Sequence, residues 1–243
     1  MITPEDEQFV SGIYNYCDRW CERCEFTASC RNFAMQRELA DEAKDINNEA
    51  FVRNLKNIFA DAKAMLVEMT EELGIEAVPI SDEEFAEIRA REKKFIKGQE
   101  ITKLAEKYAL DARPVLESKD KWLAESEVDQ EIQDEVIGVL YWYLFFIAAK
   151  IQRGIHGTLD VDGFEDPDDL RDPQSDANGS IKIALIAIER SILAWTYLLT
   201  GQNTEVLSPM IKLLDHIRDL TEQKFPNAGN FVRPGFDEIE IVM

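Results

Sequence analysis

The sequence predicts an all-α protein: a multi-helix bundle with two buried central helices and a long acidic loop. Apolar side chains recur at steps of three and four residues over most of the 243-residue chain, which is the period of an amphipathic helix. Residues that favour helix ends separate these apolar segments: serine, threonine or proline at the starts and glycine at the stops. The sequence contains no internal repeat and no convincing run of strands.

A cysteine-rich helical hairpin is predicted over residues 1–46. Thr3 and Pro4 form a helix start, because a hydroxyl at the N-cap and a proline at the first helical position both suit a helix N-terminus. The apolar side chains that follow have helical spacing: Phe9, Ile13, Tyr16 and Trp20. A second helix start lies at Thr27 or Ser29. We expect this hairpin to pack on a helical bundle over 47–226, within one domain of 1–243.

The first half of the bundle is predicted to consist of two long helices. One carries an apolar stripe and stops at Gly74, a residue that favours the left-handed conformation of a helix C-terminus. Its stripe is formed by Phe51, Leu55, Phe59, Ala62, Leu66, Met69 and Leu73. Ser81 caps the next helix, which Pro114 is expected to end or kink.

The two central helices are predicted over 127–153 and 180–200, because both segments are apolar on nearly every side. The longest uncharged, apolar-rich stretch, 136–149, is shorter than the roughly 20 residues that cross a bilayer, so a buried helix and no membrane association are expected. Between these helices, 155–179 is rich in acids, glycine and proline and predicts a loop. A last helix is expected to start at Ser208, and an irregular tail covers 227–243.

The charge of the chain restricts the classes of partner. It carries 48 acidic and 27 basic residues, a formal net charge of −21. A field of that sign repels phosphate backbones and anionic membrane surfaces, so no nucleic-acid partner is expected, whereas a basic protein partner would be attracted. The N-terminus has neither a basic nor an apolar signal region, which favours a cytoplasmic location.

All four cysteines of the chain, Cys17, Cys21, Cys24 and Cys30, fall within fourteen residues. Two disulfides would suit a secreted protein, and disulfides rarely persist in a reducing cytoplasm. Thiolates at this density are typical of metal ligands. The sequence therefore predicts one metal centre held by the four cysteines, structural or redox in role.

Helical geometry separates the two candidate metals, zinc and a [4Fe–4S] cluster. If one helix continues through Cys24, the Cα atoms of Cys17 and Cys24 are roughly 10 Å apart. Tetrahedral zinc needs its sulfurs about 4 Å apart, whereas in an iron–sulfur cluster each thiolate binds a different iron atom. An intact helix therefore slightly favours [4Fe–4S], and a helix that unwinds near Cys21 leaves zinc open.

The alternative prediction is a bundle that binds a small molecule or acts as an enzyme, with the cysteine site serving only as a structural staple. Its site would lie between the central helices and the 155–179 loop. Glu189 is expected to be at least partly buried, and a buried carboxylate needs a partner. The residues proposed for this pocket are Lys150, Arg153, His156, Lys182 and Glu189.

Overall fold

The computed structural model describes residues 8–38, 49–72, 74, 80–123, 129–160, 162–200 and 203–237. Helices dominate this part of the chain, and its only β feature is an isolated antiparallel bridge between Leu159 and Glu165. The predicted all-α multi-helix bundle is confirmed. The expected helix start at Thr3 lies outside the described residues.

The cysteine segment is not the continuous α-helix that its apolar spacing predicts. It contains three short 3-10 helices, Ile13–Asn15, Cys21–Arg23 and Thr27–Ser29. Arg19, between the first two, has φ +60°. This left-handed backbone cannot continue a right-handed helix, so the condition of an unbroken helix through Cys24 is not met, and the alternative that leaves zinc open applies. The first α-helix, α1, covers Arg31–Glu38.

The next helices follow the predicted pattern in part, because the segment expected as one helix after Ser81 forms two helices, separated at Gln99. Helix α2 covers Glu49–Glu72 and is followed by Gly74 at φ +63°, so the predicted stop is confirmed. Helix α3 covers Asp82–Gly98, and its N-cap is confirmed because the Ser81 hydroxyl accepts a hydrogen bond from the Glu84 amide (3.1 Å). Helix α4 covers Glu100–Glu117 and contains Pro114, and the short helix α5 covers Lys119–Leu123.

The second half of the bundle contains five helices among the described residues. These are α6 (Gln130–Tyr143), α7 (Phe146–His156), α8 (Pro167–Arg171), α9 (Asp176–Leu198) and α10 (Thr204–Lys224).

Several of these helix ends differ from the predicted ones. The segment expected as one helix over 127–153 is two, α6 and α7. The segment expected as a loop contains α8, which Asp166 caps by accepting a hydrogen bond from the Asp168 amide. Helix α9 starts four residues before the predicted position 180, because the Ser175 hydroxyl caps it. Helix α10 starts four residues before Ser208 and includes Pro209.

The chain divides into two compact units. One lies within Met1–Tyr14 and Arg19–Phe85, and the other comprises Asn15–Asp18 and Ala86–Met243. The short segment Asn15–Asp18 therefore belongs to the second unit although both of its neighbours in sequence belong to the first. Helices α1 and α2 lie in the first unit, and α4 to α10 lie in the second.

The core of the second unit is built around α9. Helix α9 packs on α6, α7 and α10, and α4 packs on α7 and α10. Deep in this core, the Trp195 indole donates a hydrogen bond to the Tyr108 hydroxyl (3.0 Å), and both side chains are fully buried. Each of the helices predicted as central also keeps exposed apolar residues, such as Phe145 and Leu193.

Over Gln130–His156, the described chain has the length and composition of a helix that could cross a membrane. The 18-residue window within it that meets this criterion has a mean hydropathy of 1.4, and 33% of that window is buried inside the structure. A core helix of a soluble protein has the same length and composition, and here Ile137, Leu140, Ile147 and Ile151 are buried in the core described above.

Candidate functional site

Three of the four cysteines lie at the ends of short turns in the first unit. The backbone amide of Cys24 donates to the Cys21 carbonyl (3.3 Å), which closes the 3-10 turn between them. The amide of Cys30 donates in the same way to the Thr27 carbonyl (3.3 Å). Cys24 and Cys30 both follow their turns in extended conformation. The two turns therefore present a cysteine in the same local geometry.

The turn between Cys21 and Cys24 brings their Cα atoms close together. Three steps of a 3-10 helix, at a rise of about 2.0 Å each, advance the chain by roughly 6 Å. That separation is within reach of two cysteine side chains that share one ion with Zn–S bonds of about 2.3 Å. The preference for a [4Fe–4S] cluster over zinc assumed a continuous helix through these cysteines. Because the helix is not continuous, that preference no longer applies.

Cys30 lies next to the N-terminus of α1. Its carbonyl accepts the Ala34 amide (3.1 Å), the first hydrogen bond of that helix, and the helix itself begins at Arg31. The predicted second start at Thr27 or Ser29 is a short 3-10 helix, and the α-helix begins at Arg31, directly after Cys30. The side chains of Arg19, Arg23 and Arg31 are exposed, and Arg23 stacks over the Trp20 ring at 4.2 Å.

Cys17 lies in the Asn15–Asp18 segment. Residues of the second unit contact this segment both before and after the cysteine. Before it, the Tyr16 hydroxyl donates to the Asp176 carboxylate (3.0 Å), and the Tyr16 ring packs on Phe231 with ring centres 4.5 Å apart. The carbonyl of Asn15 accepts from the Lys150 ammonium (3.4 Å). These contacts fix the backbone that leads into Cys17.

After Cys17, the chain is held through Asp18. Its carboxylate accepts hydrogen bonds from the Tyr143 hydroxyl (2.7 Å) and the Arg190 guanidinium (2.8 Å), and its carbonyl accepts one from the Trp142 indole (3.0 Å). Burial and the hydrogen bond to Asp18 raise the pKa of Tyr143 from 10.0 to about 12. Tyr143 therefore stays a neutral donor to the carboxylate throughout the physiological pH range.

The four cysteine side chains are thiols and each is partly exposed. No three side chains among the histidines, cysteines, aspartates and glutamates that the structure describes form a group that could hold a metal ion. The four residues predicted as ligands thus lie close in sequence, and three of them lie at the ends of short turns, but their side chains are not gathered into one ligand set.

Three of the five residues predicted for a pocket bind other parts of the second unit. Lys150 and Arg153 both support the Asn15–Asp18 segment, since Arg153 pairs with Asp176 (2.8 Å), the residue that accepts from Tyr16. Lys182 binds the C-terminal part of the described chain through Asp237 (2.9 Å).

Two of the five lie at the surface. Glu189 is exposed, so the prediction of a buried carboxylate at this position is wrong. His156 lines a groove of about 310 Å³ together with residues of α3.

Two groups of polar residues were missed by the sequence reasoning. The hydrogen-bonded set formed by Asp18, Tyr143 and Arg190 joins residues more than 120 positions apart, so no local pattern indicates it. The second group is the basic side chains of α3 that line the groove with His156. Their signal in the sequence is the basic run 89–94 within a strongly acidic chain. Comparison with known proteins adds no assignment, since no family model, curated protein or solved structure matches the chain.

Proposed function

We propose that the protein binds a metal centre through Cys17, Cys21, Cys24 and Cys30. The observation that carries the proposal is their distribution: every cysteine of a 243-residue chain lies within one fourteen-residue stretch. Cysteines without a common role do not crowd in this way, and each of these four is a partly exposed thiol. The chemistry that uses several adjacent thiols and no disulfide is metal ligation.

Zinc is the occupant that the turn geometry supports best. The tight Cys21–Cys24 turn supplies two thiolates from one side of an ion, in the manner of the C-x2-C pairs of structural zinc sites. Cys30 ends a second turn of the same kind, and Cys17 precedes Cys21 by four residues. A four-thiolate zinc centre has no open position, so its role is structural. A [4Fe–4S] cluster on the same ligands, with a redox role, is the alternative.

Metal binding at these cysteines is expected to be coupled to a local rearrangement of the turns. The partly exposed thiols have to rotate inward to share one ion, and thiolate binding to zinc drives such ordering in small metal-binding segments. The exposed guanidinium groups of Arg19, Arg23 and Arg31 would offset the net charge of about −2 on four thiolates and one zinc ion. The contacts of Asn15, Tyr16 and Asp18 fix the backbone on both sides of Cys17.

The test is metal analysis of protein purified without oxygen. We expect zinc at one ion per chain in a colourless sample, whereas iron with sulfide and visible absorption would assign the cluster instead. Protein that remains metal-free after incubation with zinc, and after reconstitution with iron and sulfide, would overturn the proposal.

A matched pair of variants identifies the ligands. Cys24→Ser removes one thiol and is expected to lower both the metal content and the metal-dependent rise in melting temperature. Ala28→Ser introduces the same side chain at an exposed position of the next turn and is expected to change neither. Equal metal content in the two variants would remove Cys24 from the ligand set.

A further inference from the structure

A groove of the second unit lies between α3 and α7. More of its lining side chains are positively charged than negatively charged, although the protein as a whole is acidic. Its volume is about 310 Å³, at the lower end of the range for small-molecule sites. Seven residues line it: Arg89, Glu92, Lys93, Ile96, Lys97, Gln152 and His156. Three of these side chains are permanent cations and one is a carboxylate, in a chain whose net charge is −21. The lining of the groove therefore carries more positive than negative side chains, unlike the chain as a whole.

Two carboxylates form contacts that hold together the helices lining the groove. Glu106 of α4 forms an ion pair with Lys97 and accepts a hydrogen bond from the Gln152 amide (2.8 Å). Glu92 accepts a hydrogen bond from Arg89 (3.0 Å) and lies 3.6 Å from the His156 ring nitrogen. These contacts tie α3 to α4 and α7, so the groove is formed by packed helices and not by loops.

The remaining cation has no such partner. Lys93 is exposed, and none of the carboxylates that the structure describes forms an ion pair with it. Its ammonium group, the Arg89 guanidinium and the His156 ring all line the same concave surface. Ammonium and guanidinium groups are donors only, so their natural complement is an oxyanion.

We propose that this groove binds a small molecule through a phosphate or carboxylate group, with Lys93 and Arg89 as the principal donors. Glu92 opposes the ligand's charge, because its carboxylate lies in the groove and is 13% exposed. The site therefore holds its anion weakly, and its affinity is set by the balance between Lys93 and Glu92.

The experiment titrates the full chain with inorganic phosphate and, separately, with succinate, at constant ionic strength, and follows binding by calorimetry and melting temperature. Saturable binding of either probe is expected, and the tighter of the two identifies the anionic group. Lys93→Gln should weaken binding roughly threefold to tenfold. Glu92→Gln, which removes the opposing charge while keeping the shape, should tighten binding by a similar factor.

The control variant is Lys103→Gln, an exposed lysine on α4 that does not line the groove. It makes the same change in net charge and is expected to leave the affinity unaltered. The proposal is overturned if neither probe binds saturably, if Lys103→Gln weakens binding as much as Lys93→Gln does, or if Glu92→Gln weakens it. Circular dichroism establishes that each variant is folded, so a loss of binding is attributed to the change in the groove and not to unfolding.

Discussion

The hydroxyl of Tyr143 donates a 2.7 Å hydrogen bond to the carboxylate of Asp18, a residue 125 positions earlier in the chain. The Arg190 guanidinium binds both of these groups, at 2.8 Å from the Asp18 carboxylate and 2.6 Å from the Tyr143 oxygen. Tyr143 is 1% exposed, so the pair lies at the boundary of the core. Through this contact, two helices of the second unit hold the residue that follows Cys17.

We predict that Tyr143→Phe lowers the free energy of unfolding by about 1.5–3 kcal/mol, because it removes a hydrogen bond to a charged group at a buried position. Asp18→Asn should have a smaller effect in the Tyr143→Phe background than in the wild type, since the two residues share one interaction. Chemical denaturation of the two single variants and the double variant measures this coupling. Tyr141→Phe, at a position that is 44% exposed, is the control and should be nearly neutral. Additive effects of Asp18→Asn and Tyr143→Phe would show that the hydrogen bond does not stabilise the fold.

The all-α class could be predicted from the sequence because the helical period and the helix-end signals each depend on residues that are close together in the chain. The Ser81 cap and the Gly74 stop are both where the sequence places them, since each depends on residues within one turn. The cysteine segment shows the limit of the same reasoning. Its apolar residues have helical spacing, but the left-handed backbone at Arg19 and the side-chain contacts of Asp18 with α6 and α9 determine its path.

In α9, the sequence reasoning selected a polar residue one position before the one that makes the long-range contact. On a helical wheel, Glu189 falls beside apolar residues and predicts a buried carboxylate, yet it is exposed, and the neighbouring Arg190 makes the long-range contact. One residue corresponds to about 100° around a helix, so a small error in which face is buried selects the wrong side chain. The partner, Asp18, lies in a non-helical segment that no periodicity argument could align with α9.

A pair of helical glycines is predicted to respond in opposite directions to alanine. At Gly179, an added Cβ would meet the Tyr16 ring and would lie 2.7 Å from the Phe231 ring, whereas at Gly138 it would meet no atom within 4 Å. Gly179→Ala should therefore cost about 1–3 kcal/mol by overpacking, and Gly138→Ala should stabilise by about 0.5–1 kcal/mol through helix propensity. Thermal and chemical unfolding of the two variants measure both signs. A neutral Gly179→Ala would mean that Tyr16 does not pack on α9.

Stability is predicted to fall in alkaline solution as pH rises from about 10 to 12. Burial, with a hydrogen bond to Asp176 for Tyr16 and to Asp18 for Tyr143, raises the pKa of both tyrosines from 10.0 to about 12, and burial does the same for Tyr108. In this window the folded state keeps phenolic protons that the unfolded state releases, so the free energy of unfolding decreases with pH.

Denaturation series across this pH range, with tyrosinate absorbance as the titration signal, measure the alkaline loss. Tyr143→Phe and Tyr108→Phe should each make the loss less steep, and Tyr197→Phe, at a position that is 49% exposed, should not. An alkaline slope that is the same in Tyr108→Phe as in the wild type would contradict the assignment of this buried hydroxyl.

At acid pH, the free energy of unfolding is predicted to depend on Asp237, which joins the end of the described chain to α9. Its carboxylate accepts hydrogen bonds from the Arg233 guanidinium (2.7 Å) and lies 2.9 Å from the Lys182 ammonium. Burial raises the pKa of Asp237, but the hydrogen bonds from Arg233 and Lys182 outweigh burial and hold the pKa well below its usual range. Because the folded state binds this proton more weakly than the unfolded state, the stabilisation is present above pH 4 and is lost as pH falls below it.

Asp237→Asn should therefore lower the free energy of unfolding at neutral pH by about 1–2 kcal/mol and flatten its decline below pH 4. Lys182→Met removes one of the two cationic partners and should produce part of both effects, since Arg233 still binds the carboxylate. Asp120→Asn, at an exposed position of α5, provides the matched loss of a carboxylate and should leave the acid slope unchanged. If Asp120→Asn and Asp237→Asn flattened the slope equally, the general negative charge of the protein, rather than this ion pair, would govern its acid stability.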